Sequence, residues 1–546
     1  MPKFPEPPFL LAGLAFAGLA AGLTWAAFSP EAPRGPEQQV LGIVSTSRIQ
    51  SLHPHERSPT GTALMRTRLI QALREGLVEF DPRTQSPRAA AAESWTIAAD
   101  HRSAVFHLRS GLRWNNGEPL TAEDFVFALR LAVASPSAVS ESLAILKNAR
   151  AVSEGRIADR REIGVTAVDA RTLRIELERP VPGLLLELCD VAWLPLHAAS
   201  TDALRDRSYW RRPELLVTNG PFELAEATAD VVALRPNPYY RARDEVRLTR
   251  VEIHYTEDAA LYPRLMQSGR IQMSDRLASG EIDLPVPAGI QLWRDPTLSA
   301  GYVHFNLRSG PLTDLRIRRA LSLALDRSTL ARDVSSANVR PAYTCLPPIG
   351  DWEEMHTVEE DLPEARRLLA LAGYPEGRGL PVLRWPFRLS AVDASVRLPE
   401  VCSSQWRDRL GLQVYVLPVD DEEFQRRVAA REYDIVLAPL QGTVPDLARL
   451  ASQLASDRMR SYSGWDGGSV TRLVETAREE SGDTLHSQVL AVERAFLADM
   501  PAAPLIFYNR HLLKNLSVAG WYPDATGLHP LKYLYLTGET PTANAD

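Results

Sequence analysis

Between residues 413 and 440 the chain spells a strand, an amphipathic helix and a second strand: QVYVLPV at 413–419, then DDEEFQRRVAAREY, then DIVLAPL at 434–440. A unit of this kind is a βαβ crossover, which sets two parallel strands side by side and needs a helix to carry the chain back over the sheet. It commits the chain to layered α/β packing. In open α/β sheets ligands bind beyond the carboxyl ends of the strands, so the exit from the second strand, Leu437 to Thr443, is nominated as cleft wall. The acidic run Asp420–Glu423 falls where the crossover helix begins, and carboxylates there complement the helix dipole.

Other strands announce themselves by alternation or by β-branched and aromatic enrichment. They are VLGIVS within 38–45, AVFHLR at 104–109, TLRIELE at 172–178, VVALRPN at 231–237, RVEIHY at 250–255, YVHFNL at 302–307 and PLIFYN at 504–509. Helices are expected from Met65 to near Gly76, from 469 to 480 and from 484 to 500, the last with Leu485, Val489, Val492 and Phe496 on one face. Thr121 with Asp124 three residues on has the form of a capping box. Asp361, Pro363 and Glu364 open a further helix that Gly373 and Pro375 end. The tail through LKYLYL at 531–536 reads as extended chain returning to an earlier lobe.

The N-terminus bears on location. Residues 9–28, FLLAGLAFAGLAAGLTWAAF, carry no charge and have the length of a membrane-crossing helix; a Pro-rich linker follows. This segment is expected to be an uncleaved anchor, with a cleaved signal as the alternative. Its flanking charges favour the long remainder outside. A net charge of −7 argues against nucleic-acid binding. Lysine occurs only at 3, 147, 514 and 532, so nearly all the positive charge is arginine. The three cysteines, Cys189, Cys345 and Cys402, have no metal-ligand spacing and allow at most one internal disulfide, with a pairing of Cys345 and Cys402 left open.

No catalytic motif is present: there is no HExxH, Walker A loop, GxGxxG, GxSxG or CxxC. His53-Pro54-His55-Glu56 is expected to be a surface loop rather than a metal site, and GWDGGS at 464–469 a loop rather than a phosphate cradle. The chain is not expected to be an enzyme, and no metal or cofactor is called for.

LREGLVEFDP (73–82), FHLRSGLRWNNGEPLTAEDFVFALR (106–130), VTNGPFEL (217–224), NPYYR (237–241), RLMQSGRI (264–271), DLRIRRALSLALDR (314–327) and EARRLLALAGY (364–374) are collinear with blocks of a known family. On these residues the chain resembles extracellular solute-binding protein family 5, the periplasmic oligopeptide- and dipeptide-binding proteins of ABC importers. The resemblance implies an α/β, two-lobed periplasmic-binding-protein clamshell with an extra domain and mixed sheets. It places the anchor and linker at 1–37, lobe I at 38–80 with 209–300 and 506–546, the extra domain at 81–208 and lobe II at 301–505. Closure about two hinge segments buries the ligand between the lobes and presents it to a membrane permease.

By the same resemblance, Ser58, Pro59 and Thr60 match a ligand-facing loop, and Ser274, Asp275 and Arg276 match a second stretch of lobe I. Thr218 to Gly220 and Tyr302 to Asn306 fall near the domain crossings, and Tyr302, His304 and Asn306 join the candidate ligand-binding residues. The remaining candidates are Leu440, Gln441, Gly442 and Thr443. Here the chain departs from the pattern. Peptide-binding relatives carry a GWxxDYxxP motif whose Trp and Asp hold the peptide's α-amine; the equivalent PLQGTVPD (439–446) puts Leu440 at the Trp position and Thr443 at the Asp position. A buried ammonium without a counter-charge costs several kcal/mol, and Asp446 would replace the lost carboxylate only with a different loop course. The expected partners are an oligopeptide or other small solute, an ABC permease, and the membrane through the N-terminal segment, with the chain a monomer. A tethered sensor or protein-interaction module with a divergent pocket is the alternative.

Overall fold

The computed structural model describes residues 39–56, 63–134, 143–200, 209–277, 286–335, 339–347, 349, 355–388, 397–442 and 444–538. The expected N-terminal span lies outside them, and no described helix is long and apolar enough to cross a membrane.

Two long antiparallel strands, Ile290–Phe305 and Ala502–Asn515, organise the molecule. Their pairing runs from Ile290 opposite Asn515 to His304 opposite Ala502, with register shifts between Pro296 and Ala300 and between Gly301 and Tyr302. Pro296 has no N–H to give to the ladder, so the pairing slips where the strands pass from one half of the molecule to the other. At one end Met273–Ser274 joins Ala502–Asn515 to Val40–Ser45, which continues to Arg250–Tyr255, Val231–Pro236 and Phe222–Ala227. At the other end Ile435–Gln441 pairs with Ile290–Phe305, and Val339–Pro341 with Ala502–Asn515. Among the described residues this is one mixed sheet of nine strands shared by two lobes.

The third body is a four-stranded antiparallel sheet, ordered Ala92–Ile97, Ser103–Leu108, Thr172–Glu176 and Val165–Asp169. Helix Ala122–Ala134 packs on it, sealing Phe106, Trp114, Phe125, Leu129 and Trp193 into a core of its own. Separate apolar cores lie under each lobe, one around Leu41, Leu69, Trp210 and Val251 and another around Ile317, Leu321, Trp385 and Trp406.

Most expected elements form, but their extents and partners differ. The YVHF of YVHFNL is the last quarter of a sixteen-residue strand and PLIFYN lies near the start of a fourteen-residue one, because charged and polar residues in both mask the alternation. The expected helix from Met65 ends at Leu73, and Val78–Asp81 turns into a hairpin with Ser86–Ala89. The crossover is built as strand Val414–Val419, helix Asp421–Ala430 and strand Ile435–Gln441, with Asp420 capping the helix by accepting from Glu423 N. Its two strands, however, are not ladder partners. Val414–Val419 runs parallel to Leu383–Arg388, while Ile435–Gln441 belongs to the large sheet. Arg384 joins the two through Asp434, and Pro386 has no N–H with which to extend that junction.

The Thr121 capping box is half formed. Asp124 accepts from Thr121 N at 2.8 Å, but the threonine hydroxyl donates to the same carboxylate instead of receiving a helix N–H. The His53–Glu56 stretch is not the expected surface loop. Both histidines are buried, with His55 Nε2 against Ala192 O and His53 Nδ1 accepting from His55 N. Burial first, and then neighbouring charge, brings their pKa values down to about 4 for His53 and about 3 for His55. All three cysteines are free, which closes the question of a Cys345–Cys402 bridge.

Candidate functional site

Helix Ala63–Leu73 ends by handing Leu73 O to Gly220 N, and a side chain at Gly220 would put a Cβ 2.4 Å from Arg74 N. Glycine is required there because two backbones touch. The contact fixes the helix end and aims a stripe of Thr67, Gln71 and Arg74, spaced four and three residues apart, into a cavity of about 250 Å³. Leu188 of the third body, Val191 and Leu194 where the chain enters the core around Leu41, Val444 and Pro445 beyond the Ile435–Gln441 strand, and Leu528 and Pro530 of the C-terminal segment supply its apolar walls. All three bodies therefore contribute to one enclosed space.

The floor is held from behind. Arg68 donates from Nε to Leu528 O at 2.6 Å and from Nη2 to Gly527 O at 3.0 Å, and Arg510 donates to Thr526 O at 3.2 Å. Two buried guanidiniums thus satisfy the carbonyls of a loop that has no ladder of its own. Asp275 stands 3.7 Å from Arg68, and Asp295 receives His529 Nε2 at 2.6 Å.

Four carboxylates line the cavity, and each is already engaged. Glu75 accepts from Tyr240 Oη at 2.6 Å and from Arg241 Nε and Nη2, both at 2.8 Å. Glu79 takes Arg88 at 2.6 Å and Lys532; burial would raise its pKa, but these cations overcome that and hold it below the usual carboxylate value. Asp524 accepts from Thr526 N, Thr526 Oγ1 and His529 N, and Asp190 from Ala192 N. Arg74 is different. Only 3% exposed, it donates to Leu52 O at 3.2 Å and lies beside Tyr209, yet it has no carboxylate partner among the described residues, and its Nε has no acceptor. Burial lowers its pKa.

Ser58, Pro59, Thr60 and Thr443 lie outside the described residues. Of the other candidates, Ser274 accepts from Leu513 N at 2.8 Å, Asp275 faces Arg68, and Arg276 is half-buried. Tyr302 is fully buried with its hydroxyl on Cys345 O, and Asn306 ties to Tyr433 O at 3.0 Å. His304 packs between Tyr302 and Tyr462, where burial brings its pKa down to about 3. Leu440 is buried with Leu298 and Leu450, Gln441 is exposed, and Gly442 donates to Leu298 O with no room for a Cβ against Leu450. None of these described candidates lines the large cavity; the segment reaches it two residues later, at Val444 and Pro445.

Asp446, expected to replace the carboxylate only with a different loop course, is engaged within its own segment. It caps helix Leu447–Gln453 by accepting from Arg449 N at 2.7 Å, and burial raises its pKa. Sequence reasoning missed Thr67, Gln71 and Arg74. Their spacing on a helix face was a usable signal, but only the fold says that this face looks into a cavity.

Two lobes strung on a shared pair of strands, with a third body and a cavity where all three meet, define a periplasmic-binding-protein clamshell. The family model described as "Bacterial extracellular solute-binding proteins, family 5 Middle" matches residues 86–459, and the chain belongs to that family. It is 30% identical to a probable deoxycholate-binding periplasmic protein of Escherichia coli K12, over 94% of this chain and 96% of that one. It is 25% identical to the periplasmic oligopeptide-binding protein OppA of Salmonella typhimurium LT2, over 98% of each. Among solved structures, the Escherichia coli murein tripeptide-binding protein MppA superposes with a TM-score of 0.73 at 23% identity, covering 92% of this chain and 99% of that one. Haemophilus influenzae OppA in complex with RPPGFSPFR gives 0.72 at 22% identity, covering 92% and 100%.

Proposed function

We propose that this chain is the solute-capturing component of a peptide-type ABC importer, binding its ligand between lobes by hinge closure and passing it to a membrane permease. The observation that carries the reading is the single cavity walled by the helix stripe of one lobe, Val444 and Pro445 of the other, and Leu188 of the third body. A ligand there touches every moving part, so its binding free energy differs between open and closed states, which is what a ligand-driven closure requires. The relatives named as oligopeptide- and deoxycholate-binding support capture of a small solute rather than catalysis. Lobe I comprises about 38–80, 209–300 and 506–546, the extra domain about 81–208 and lobe II about 301–505, with hinges where the two long strands shift register. The apolar segment at 9–28 tethers a monomer to the membrane, with the binding body on the extracytoplasmic side, as suits relatives named periplasmic.

The test is small-angle scattering paired with thermal denaturation of the full-length protein, screened against di- to pentapeptides, deoxycholate and simple sugars. A ligand at 100 times its Kd stabilises the fold by about 2.7 kcal/mol. At least one solute class should raise the Tm and reduce the radius of gyration. A folded, ligand-free protein that responds to none of them would overturn the reading.

A further inference from the structure

We infer that the cavity selects an amphipathic acid, an apolar body with one carboxylate or similar anion that pairs with Arg74, over a peptide with a free α-amine. The inference rests on the solute-capture reading above and names the ligand class of the same site.

Three observations carry it. First, the cavity offers no open place for an ammonium. Glu75, Glu79, Asp190 and Asp524 line it, but the two glutamates are spent on Tyr240, Arg241, Arg88 and Lys532, and the two aspartates on backbone N–H groups, Thr526 and Arg449. Asp446, the nearest carboxylate to the family's amine-holding position, caps its own helix. A cationic ligand would have to break one of these arrangements, leaving a buried cation behind.

Second, one cation on the cavity wall has no carboxylate partner among the described residues. It is Arg74, a nearly buried guanidinium with an Nε without an acceptor. A buried charge of this kind is costly unless something answers it, and a ligand carboxylate would do so with charge-assisted hydrogen bonds. Lys532, the other cation on the wall, is already matched to Glu79.

Third, polar and apolar linings are segregated. Thr67 and Gln71, two turns and one turn before Arg74, form a polar edge with neither side chain hydrogen-bonded among the described residues, whereas Leu188, Val191, Val444, Pro445 and Leu528 are apolar. A peptide laid across this space would present amide N–H and C=O groups to carbon on several sides. An apolar body with a few hydroxyls along one edge and an acid at one end leaves no group unmatched. A relative 30% identical over nearly the whole chain is named for deoxycholate, a molecule of this type.

The experiment is calorimetric titration of the full-length protein with three probes: deoxycholate below its micellar concentration, deoxycholate methyl ester, and a tripeptide with a free amine. Deoxycholate should bind, the ester should bind at least tenfold more weakly, and the tripeptide weaker still. Arg74→Gln should lower deoxycholate affinity by tenfold or more and leave the ester unchanged. The inference is overturned if acid and ester bind equally to the unmodified protein, a comparison that needs no variant to fold, or if Arg74→Gln, shown folded by its own melting curve, keeps its deoxycholate affinity. Tight tripeptide binding with compaction in scattering would also overturn it while leaving the capture reading intact; the absence of compaction with any solute would remove both.

Discussion

Arg449 donates from Nη1 to Glu187 Oε2 at 2.7 Å, joining two residues 262 positions apart in the chain. Arg449 stands in helix Leu447–Gln453, just beyond the large sheet, and Glu187 ends a turn of helix in the body built on the four-stranded sheet. Arg449 Nη2 also reaches Asp190 at 3.5 Å, and the three side chains are only about 15% exposed. One guanidinium therefore clasps two carboxylates and ties the helix beyond the large sheet to the third body.

A clasp between two bodies is expected to bias the open–closed balance. Hydrogen bonds to charged groups of this kind contribute about 1.5–3 kcal/mol. Arg449→Met should shift the ligand-free protein toward the open form and weaken ligand binding by about tenfold, the equivalent of about 1.4 kcal/mol. Scattering profiles of the free protein check the first effect and titration the second. Identical profiles for variant and unmodified protein would show that the contact follows closure without driving it.

Asp446 is a helix cap. Asp446→Ala removes the acceptor for Arg449 N and should cost about 1 kcal/mol of stability. Urea denaturation measures the loss. If Asp446 held a ligand amine instead, the variant would lose affinity for free-amine peptides far more than stability.

Acid should destabilise the protein before its carboxylates titrate. His53, His55 and His304 are held neutral, their pKa values brought down by burial to about 4, 3 and 3. In the unfolded chain each titrates near 6.5, so below that pH the unfolded state takes up protons that the native state refuses. Stability is therefore full above about pH 7 and falls as the pH drops toward 4, by up to about 1.4 kcal/mol per unit for each histidine. Urea midpoints at pH 7.5, 6 and 5 should decline in that order, and His53→Gln should flatten the decline. Equal midpoints would show that these imidazoles bind protons in the folded protein.

The thiols should be silent. Cys345 and Cys402 are fully buried and Cys189 is half-buried, and burial raises all three pKa values, leaving almost no thiolate. Thiol titration of the native protein should give little colour until denaturant is added, then three equivalents, and reductant should not move the Tm. Fewer than three equivalents in denaturant would reveal a disulfide.

Gly220→Ala tests the backbone contact that aims Arg74. With a Cβ 2.4 Å from Arg74 N, the helix end must move, and overpacking of this kind costs about 1–3 kcal/mol. The Tm should fall and, with Arg74 displaced, so should ligand affinity; an unchanged Tm would mean that the two segments separate without cost.

Local signals in the sequence went far. Asp361, Asp420 and Gly373 mark helix ends because caps are decided by a residue and its neighbours within a turn, and each does its expected work. Of the Leu485, Val489, Val492 and Phe496 stripe the last three are buried as the spacing says, because helix faces are set by a constant angle per residue, while Leu485 in the first turn is half-buried. The collinear family blocks led to the clamshell as a whole. What those signals could not contain is who pairs with whom. The crossover strands at 414–419 and 435–441 have the right pattern for neighbours, yet Leu383–Arg388 takes the first and Ile290–Phe305 the second, because strand pairing is settled by packing across the whole sheet.

The site divides the same way. Sequence alone determined which residues stand at the exit of the Ile435–Gln441 strand, Leu440 and Thr443 where the resemblance leads one to expect an amine-holding Trp and Asp. Only the tertiary structure decided that Leu440 turns into the core, that Asp446 is committed to a cap, and that Arg74 is buried at the cavity with no carboxylate partner among the described residues. Burial and ion pairing are properties of residues brought together from distant parts of the chain, as Glu75 with Arg241 and Glu79 with Lys532. No spacing rule in one dimension reports which charges end up answered and which are left for a ligand.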